Sequence, residues 1–279
     1  MSPVIRSARR EEMPLLLDWA AAEGWNPGLA DAAAFRAADP EGFLLAEEGG
    51  EPAGGISAVR YGKEHGFIGF YIVRPGRRGR GLGMALWRAG MARLAGRVVG
   101  LDGVVAQQAN YARSGFALAW RNIRFAAEAP RPVPDAAGEV VPVAMLPFEA
   151  LAALDREVFP AARDAFLRAW IGAPGHRALA VLRGGQPVGF GVARPCRAGS
   201  KIGPLTAIDA PAARALFNAL AQGMPGPVFL DLPEANAAAM ALAAEAGMAA
   251  AFETARMYAG PAPALRLERI FGIASFELG

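Results

Sequence analysis

The sequence predicts an α+β protein made of two copies of one unit, each a sheet flanked by helices. Three observations carry that expectation. The chain has 279 residues, enough for two domains of ordinary size, and 53% of them are hydrophobic, enough for a core in each. Strand-like and helix-like patterns then run through nearly the same order twice. Between the two runs, AEAPRPVPDAAG (127–138) holds three prolines and no hydrophobic period, which reads as a linker. The expected division is a domain at 1–127, a linker at 128–138 and a second domain at 139–279.

In the first unit, VIRSAR (4–9) is a short strand. EEMPLLLDWAAAEGW sets Met13, Leu16, Leu17 and Ala20 at helical spacing and stops at Gly24. DAAAFRAAD (31–39) is a second helix, with acidic Asp31 suited to its first turn. GFLLAEEGGEPAGGISAVRYG is two strands joined across Gly49–Gly50, and HGFIGFYIV is a third. Residues 84–95 place Met84, Trp87, Met91 and Leu94 on one helix face. VVGLDGVV (98–105) is a strand, QQANYARSG a short helix ended by Gly115, and FALAWRNIRFAA a closing strand. The order is β-α-α-β-β-β-α-β-α-β.

The second unit reads alike. EVVPVAML is a strand, and Phe148–Arg156 and Arg163–Trp170 are helices. RALAVLRGGQPVGFGVARP is a strand pair across Gly184–Gly185. KIGPLTAI is a strand and Pro211–Gln222 a helix with proline in its first turn. GPVFLDL, EANAAAMALAAEAG and MAAAFETARMYAG follow as strand, helix and strand. The tail LRLERIFGIASFELG is suited to one more strand.

Composition narrows the function. A net charge of +3 neither requires nor excludes nucleic acid, and the only lysines are Lys63 and Lys201. The single cysteine, Cys196, excludes an intrachain disulfide, and with two histidines, His65 and His176, no metal centre is expected. Arg6, Arg9, Arg10, Glu11 and Glu12 precede any long apolar run, unlike a signal peptide. No run reaches the ~18 apolar residues of a membrane span. A soluble cytoplasmic protein with no membrane partner is the expectation.

The most informative stretch is YIVRPGRRGRGLGMALW (71–87). Pro75 stops a strand, and Gly79, Gly81 and Gly83 let backbone approach a ligand closely. Amides of the following helix start then face an anion, best a pyrophosphate. The phosphate-loop pattern with its lysine is absent. The dinucleotide fingerprint fails at its third glycine, which is Met84 or Leu86. A solvated basic loop is the other reading.

VRPGRRGRGLGMAL resembles the acyl-CoA-binding signature of the GCN5-related N-acetyltransferases (GNAT), [QR]-x-x-G-x-[GA], matched by Arg78, Gly79, Arg80, Gly81, Leu82 and Gly83. NYARSGF, Asn110 to Phe116, resembles the family's second signature, and the element order agrees. EGWNPGLAD and GLDGVVAQQANYARSGF look like a bacterial branch with a second, acetyltransferase-like domain. The resemblance implies two such domains with mixed, largely antiparallel sheets, and acetyl-CoA as cofactor. It implies that Arg78 to Gly83 bind the CoA pyrophosphate, that Tyr71, Ile72 and Val73 bind pantetheine through their backbone, and that Asn110 stands with them. Tyr111 would protonate the departing thiolate; packing at the helix end is the other reading of it.

The chemistry needs a base, because a protonated amine has no lone pair to attack with. Glu64 and His65 are the candidates at the start of the central strand, with Glu23 and Asp31 as alternatives. WNPG (25–28) offers Trp25 as a rigid face and Asn26 as an amide, and Asp31, Arg60, Tyr61, Asn122 and Arg124 are further candidates for the acceptor pocket. The arginines would suit a substrate carboxylate.

The second unit lacks the glycine turn: IGPLTAIDAPAARALF (202–217) puts Pro204, Asp209 and Pro211 where amides would be needed, and no tyrosine precedes Gly247. It is expected to be a degenerate copy that walls the acceptor pocket or mediates a homodimer. Cys196, between Arg194 and Arg197, is expected to be inert. The expected function is N-acetyl transfer from acetyl-CoA to a primary amine of a small polar molecule, or of a protein. A non-catalytic acyl-CoA sensor is the alternative, and a nucleic-acid binder the least supported.

Overall fold

Strands and helices alternate along residues 3–279, the part of the chain that the computed structural model describes. The first half runs β1 (Val4–Ser7), α1 (Met13–Ala22), α2 (Asp31–Ala38), β2 (Phe43–Glu48), β3 (Glu51–Tyr61), β4 (His65–Val73), α3 (Leu82–Arg93), β5 (Val98–Val104), α4 (Gln108–Arg113) and β6 (Phe116–Ala127). The second half runs β7 (Glu139–Pro142), α5 (Phe148–Arg156), α6 (Asp164–Ile171), β8 (Arg177–Arg183), β9 (Gln186–Pro195), β10 (Ser200–Ala207), α7 (Ala210–Ala221), β11 (Val228–Pro233), α8 (Ala237–Glu245), β12 (Ala249–Ala259) and β13 (Ile270–Gly272).

The departures from expectation lie at element ends. β1 stops at Ser7 because Arg9 and Glu12 form a capping turn, in which the Glu12 carboxylate accepts from the Arg9 amide at 2.7 Å. β7 stops at Pro142 and gives way to a 3-10 turn over Val143–Met145. α3 begins two residues earlier than the apolar face suggests.

One sheet of 13 strands unites both halves, in the order β1-β2-β3-β4-β5-β12-β6-β11-β10-β9-β8-β7, with β13 on β10. Its pairs are antiparallel apart from β4·β5 and β10·β11, the same step of each half, each bridged by a helix, α3 or α7. That is the mixed, largely antiparallel pattern twice over. At the centre the halves exchange strands. β12 pairs with β5 through Thr254↔Val104 to Ala259↔Val99, and β6 pairs with β11 through Asn122↔Pro233 to Ala127↔Val228. A division at 127–138 therefore separates two runs of sequence but not two sheets. The halves also share a core: Phe35 of α2 stacks on Trp170 of α6 at 5.8 Å, and Tyr61 meets Phe159 edge-on at 4.8 Å.

The tail is the least regular part and one of the most buried. β13 is three residues long and pairs with β10 at Leu205 and Thr206, just past the last β10·β11 pair at Ile202↔Leu230. Ile273 donates to the Asp231 carbonyl at 2.8 Å, so the tail lies in the gap where β10 and β11 part. From there it crosses to the first half. The Tyr61 hydroxyl donates to the Leu278 carbonyl at 3.0 Å, and Arg163 Nη1 to the Gly279 carbonyl at 2.9 Å.

Candidate active site

Past Val73 the chain makes one 3-10 turn, Pro75–Arg77, then passes Gly79 at φ +77° and Gly81 at φ +80° into α3. Only glycine adopts that conformation without strain. A Cβ on Gly79 or Gly81 would meet nothing within 4 Å, so the space above the turn is open. Gly81 is the N-cap of α3 and no side chain caps it. The first-turn amides therefore face that space, with the positive end of the helix behind them. Leu82 is buried beneath the turn, while Gly83 lies against Tyr71, whose hydroxyl is 2.9 Å from where a Cβ would stand. The turn is tied down by acids: Arg77 and Arg80 reach Glu48 at 2.6 and 3.3 Å, and Arg78 pairs with Glu23 and donates to the Val73 carbonyl at 2.8 Å. Such paired arginines make a poor nucleic-acid footprint.

The β4·β5 ladder ends at Ile68↔Leu101. Beyond it β4 carries an extra residue against β3, with Phe70 at φ +45°, and bends away from β5. The two strands splay around a cavity of about 500 Å³ whose walls include Gly69 to Val73 and Asp102 to Val104. Tyr111 enters from α4. Gly103 makes room for it, since a Cβ there would be 2.4 Å from the tyrosine ring. The ring packs 5.7 Å from Trp87, and burial, then the nearby Tyr71, pushes its hydroxyl pKa up to about 12. It is a proton donor throughout the physiological range.

The cavity is also walled by the second half: Phe252 and Thr254 from β12, Phe276 and Glu277 from the tail. Arg124 backs this wall. Its guanidinium carbon stands 4.9 Å from the Phe276 ring centre and 5.9 Å from that of Phe252, while Asp231 accepts from it at 2.6 and 2.7 Å. Arg124 Nη1 and Lys201 Nζ both donate to the Trp25 carbonyl, each at 3.1 Å, and so hold the Trp25 loop against the second half. Burial, with Arg124 nearby, lowers the Lys201 pKa to about 8.

Of the sequence-predicted residues, Tyr71, Ile72, Val73, Arg78, Tyr111 and Trp25 line the cavity, as does Glu23. Gly79 to Gly83 form the turn at its rim. Asn110 is exposed and spends its amide on Gln107 and Arg113. The others stand elsewhere. His65 and Glu64 lie at the far end of β4, about 20 Å from Tyr71 at strand rise, beside Arg60 and Tyr61 on β3. Arg60 donates to the Arg93 carbonyl at 2.9 Å, and Tyr61 holds the tail. Asp31 is buried beneath the WNPG loop, accepting from the Gly28 amide at 2.8 Å with Arg194 Nε 3.1 Å away. Asn26 clips the halves together, its amide exchanging two 2.8 Å hydrogen bonds with the Ala198 backbone. Asn122 donates at 2.8 Å to Asp102, and Arg124 is committed to Asp231. Burial raises the Cys196 thiol pKa, against the pull of Arg194, in keeping with an inert residue. Sequence reasoning did not reach Thr254, Phe252, Phe276 or Glu277, because no local motif marks them.

Two family models match the chain: the acetyltransferase (GNAT) family over residues 5–116 and an acetyltransferase (GNAT) domain over residues 151–272. Holothin acyltransferase of a Pseudoalteromonas species is 32% identical over 276 residues, covering 98% of this chain and 94% of the relative. A presumed acetyltransferase from Pyrococcus horikoshii superposes with a TM-score of 0.83 at 23% identity, over 99% of this chain and 96% of the other. A tandem GNAT protein from the clavulanic acid biosynthesis pathway superposes with a TM-score of 0.64 at 16% identity, over 94% of this chain and all of the other.

Proposed function

From a chain that belongs to the GNAT acetyltransferase family, we propose an acyl-CoA-dependent N-acyltransferase that moves an acetyl group to a primary amine on a small molecule. The observation that carries the reading is the continuity of an uncapped helix start, a glycine turn and a strand splay leading into one cavity. The amides from Gly79 to Gly83 would hold the pyrophosphate of acetyl-CoA, with Arg78 and Arg80 at the rim. Backbone groups of Tyr71 to Val73 would pair with pantetheine, which replaces the β5 neighbour they lack. The thioester then enters between β4 and β5, and Tyr111 supplies the proton that the departing thiolate needs.

Trp25, Phe252 and Phe276 line the same cavity, so an amine carried on a flat, apolar body would fit better than a peptide lysine. Holothin, named by the 32% identical relative, is the first acceptor to try. The second half is a partner in the site and not a second enzyme, because β13 occupies the gap between β10 and β11 where a thioester would enter. A cytoplasmic reaction would suit the use of acyl-CoA.

The test is free-thiol release from acetyl-CoA with holothin, tryptamine, spermidine and a lysine peptide, read beside calorimetric titration of CoA. One CoA site per chain and amine-dependent thiol release are expected. CoA binding with no turnover on any amine would support an acyl-CoA sensor instead; no binding would end the reading.

A further inference from the structure

With Glu64 and His65 outside the cavity, the base must come from somewhere else, and the cavity offers three carboxylates: Glu23, Asp102 and Glu277. Two are spent. Asp102 accepts from Arg256 at 2.8 and 2.6 Å and from Asn122 at 2.8 Å. Glu23 is clamped by Arg78 at the mouth. Glu277 is different. It is 5% exposed, and among the described residues no other side chain hydrogen-bonds its carboxylate.

We propose that Glu277, delivered by the tail of the second half, is the general base that deprotonates the acceptor amine. This rests on the N-acyltransferase reading above. The tail crosses β4 at the start of the splay: a Cβ on Gly69 would lie 2.1 Å from the Glu277 carbonyl oxygen, so glycine there admits the crossing. Anchors fix it on both sides, with the Ser57 hydroxyl 3.5 Å from the Glu277 carbonyl, Tyr61 on Leu278 and Arg163 on Gly279. The carboxylate is thus held where the splay leads the thioester, on a backbone with little freedom to move.

Its surroundings suit the task. Burial lifts the Glu277 carboxyl above the ordinary glutamate value, and Asp31 of α2 adds to that. Lys201 of β10 and Arg124 of β6 pull it back. Burial therefore favours the neutral acid and the two cations the carboxylate, and once ionised the group is more basic than an ordinary glutamate. Lys201 is a positioning residue here, acting on the amine only through Glu277.

The protons balance without a further reagent. An ammonium R–NH3+ gives one proton to Glu277, and its lone pair forms the C–N bond at the thioester carbonyl. The nitrogen of the adduct, now cationic, gives up a second proton as the C–S bond breaks. The thiolate takes a proton from Tyr111, and that second proton returns Tyr111 to its starting state. CoA leaves as the thiol, and Glu277 releases the first proton to solvent.

The experiment compares the wild-type chain with Glu277→Gln, Glu277→Asp and Lys201→Met, using acetyl-CoA and tryptamine as probes. Thiol release without amine is the second readout, with water as the nucleophile. Glu277→Gln should bind CoA unchanged and lose ~10²-fold or more in kcat in both assays. Its rate should climb about tenfold per pH unit where wild type is flat, because only amine that is already neutral can attack. Glu277→Asp should recover part of the loss. Lys201→Met should move the acidic limb of wild type upward, since it removes a cation that lowers the Glu277 pKa. A Glu277→Gln chain that binds CoA and keeps its rate and its acidic limb would overturn the assignment while leaving the enzyme reading standing. A wild-type chain that neither binds CoA nor releases thiol would instead overturn the reading beneath it.

Discussion

Replacing Asp231 by asparagine should destabilise the whole chain, and the reason lies in where Arg124 ends. Both residues are 4% exposed, and the guanidinium is held by the carboxylate through two hydrogen bonds of 2.6 and 2.7 Å. An amide of the same size cannot balance the charge. Arg124 would keep the Trp25 carbonyl at 3.1 Å and the Phe276 ring at 4.9 Å, but would face Lys201 with no anion bonded to it. Removing one partner of a buried pair costs ~3–5 kcal/mol, a large part of a typical total of ~5–15 kcal/mol. For a large chain each kcal/mol moves Tm by ~2–4 °C, so a drop of about 6–20 °C is expected. The assay is thermal unfolding followed by circular dichroism. Arg124→Met combined with Asp231→Leu should recover most of the loss, because two apolar groups leave no charge stranded. A single variant melting within about 2 °C of wild type, or a double variant no better than the single, would refute the reasoning. The pH dependence has a definite sign. Burial raises the Asp231 pKa, but Arg124, then Lys201, outweigh it and leave it lowered. Its contribution is therefore present above the ordinary aspartate pKa and lost as pH falls through the lowered one, and the asparagine variant should lack that acidic loss.

Three further outcomes are expected. Gly81→Ala, at φ +80° in open space, should cost ~1 kcal/mol of stability yet weaken CoA binding tenfold or so by titration; unchanged affinity would remove the turn from the cofactor site. Tyr111→Phe should lower kcat ~10²-fold with CoA affinity intact, and wild type should show no alkaline loss from this group until near its pKa of about 12. A chain ending at Asp135 should fail to give a soluble, folded product, because β6 would lose both β11 and β12; a soluble monomer that binds CoA would contradict the exchanged strands.

Much of this was legible in the sequence, and the limits have physical causes. Element types follow from apolar spacing and glycine stops, and the turn from Arg78 to Gly83 declares itself through its glycines, of which Gly79 and Gly81 take positive φ. Which strands pair is a different kind of information. Ala249–Ala259 reads as a strand against any neighbour, and nothing local says that its partners are β5 and β6 of the other half. His65 and Glu64 start the right strand, but the cavity is lined from Ile68 onward, toward its other end. Asp31 and Arg124 look like polar hands for a substrate until their partners, Arg194 and Asp231, are seen across the interface between halves. Glu277 sits in a stretch without period, so pattern reading had no grip on it.

On the proposed reading, the tail gives the second half a role although it lacks the glycine turn. Filling the β10–β11 gap with Ile270–Gly272 closes the entrance that a thioester would use, and in the same stroke directs the following residues out of that gap toward the other splay. Gly203 lies under this path, since a Cβ there would be 2.2 Å from the Ile273 carbonyl, and Gly69 lies under its continuation. Two glycines, one in each half, thus mark a single buried route. On the proposed reading, acceptor walls and base would come from the half without the glycine turn, while the turn and the proton donor would come from the other half. Changes in acceptor preference should accordingly map to Phe252, Thr254 and Phe276, and leave CoA affinity alone; acceptor-selective variants concentrated instead in α3 would argue against this partition.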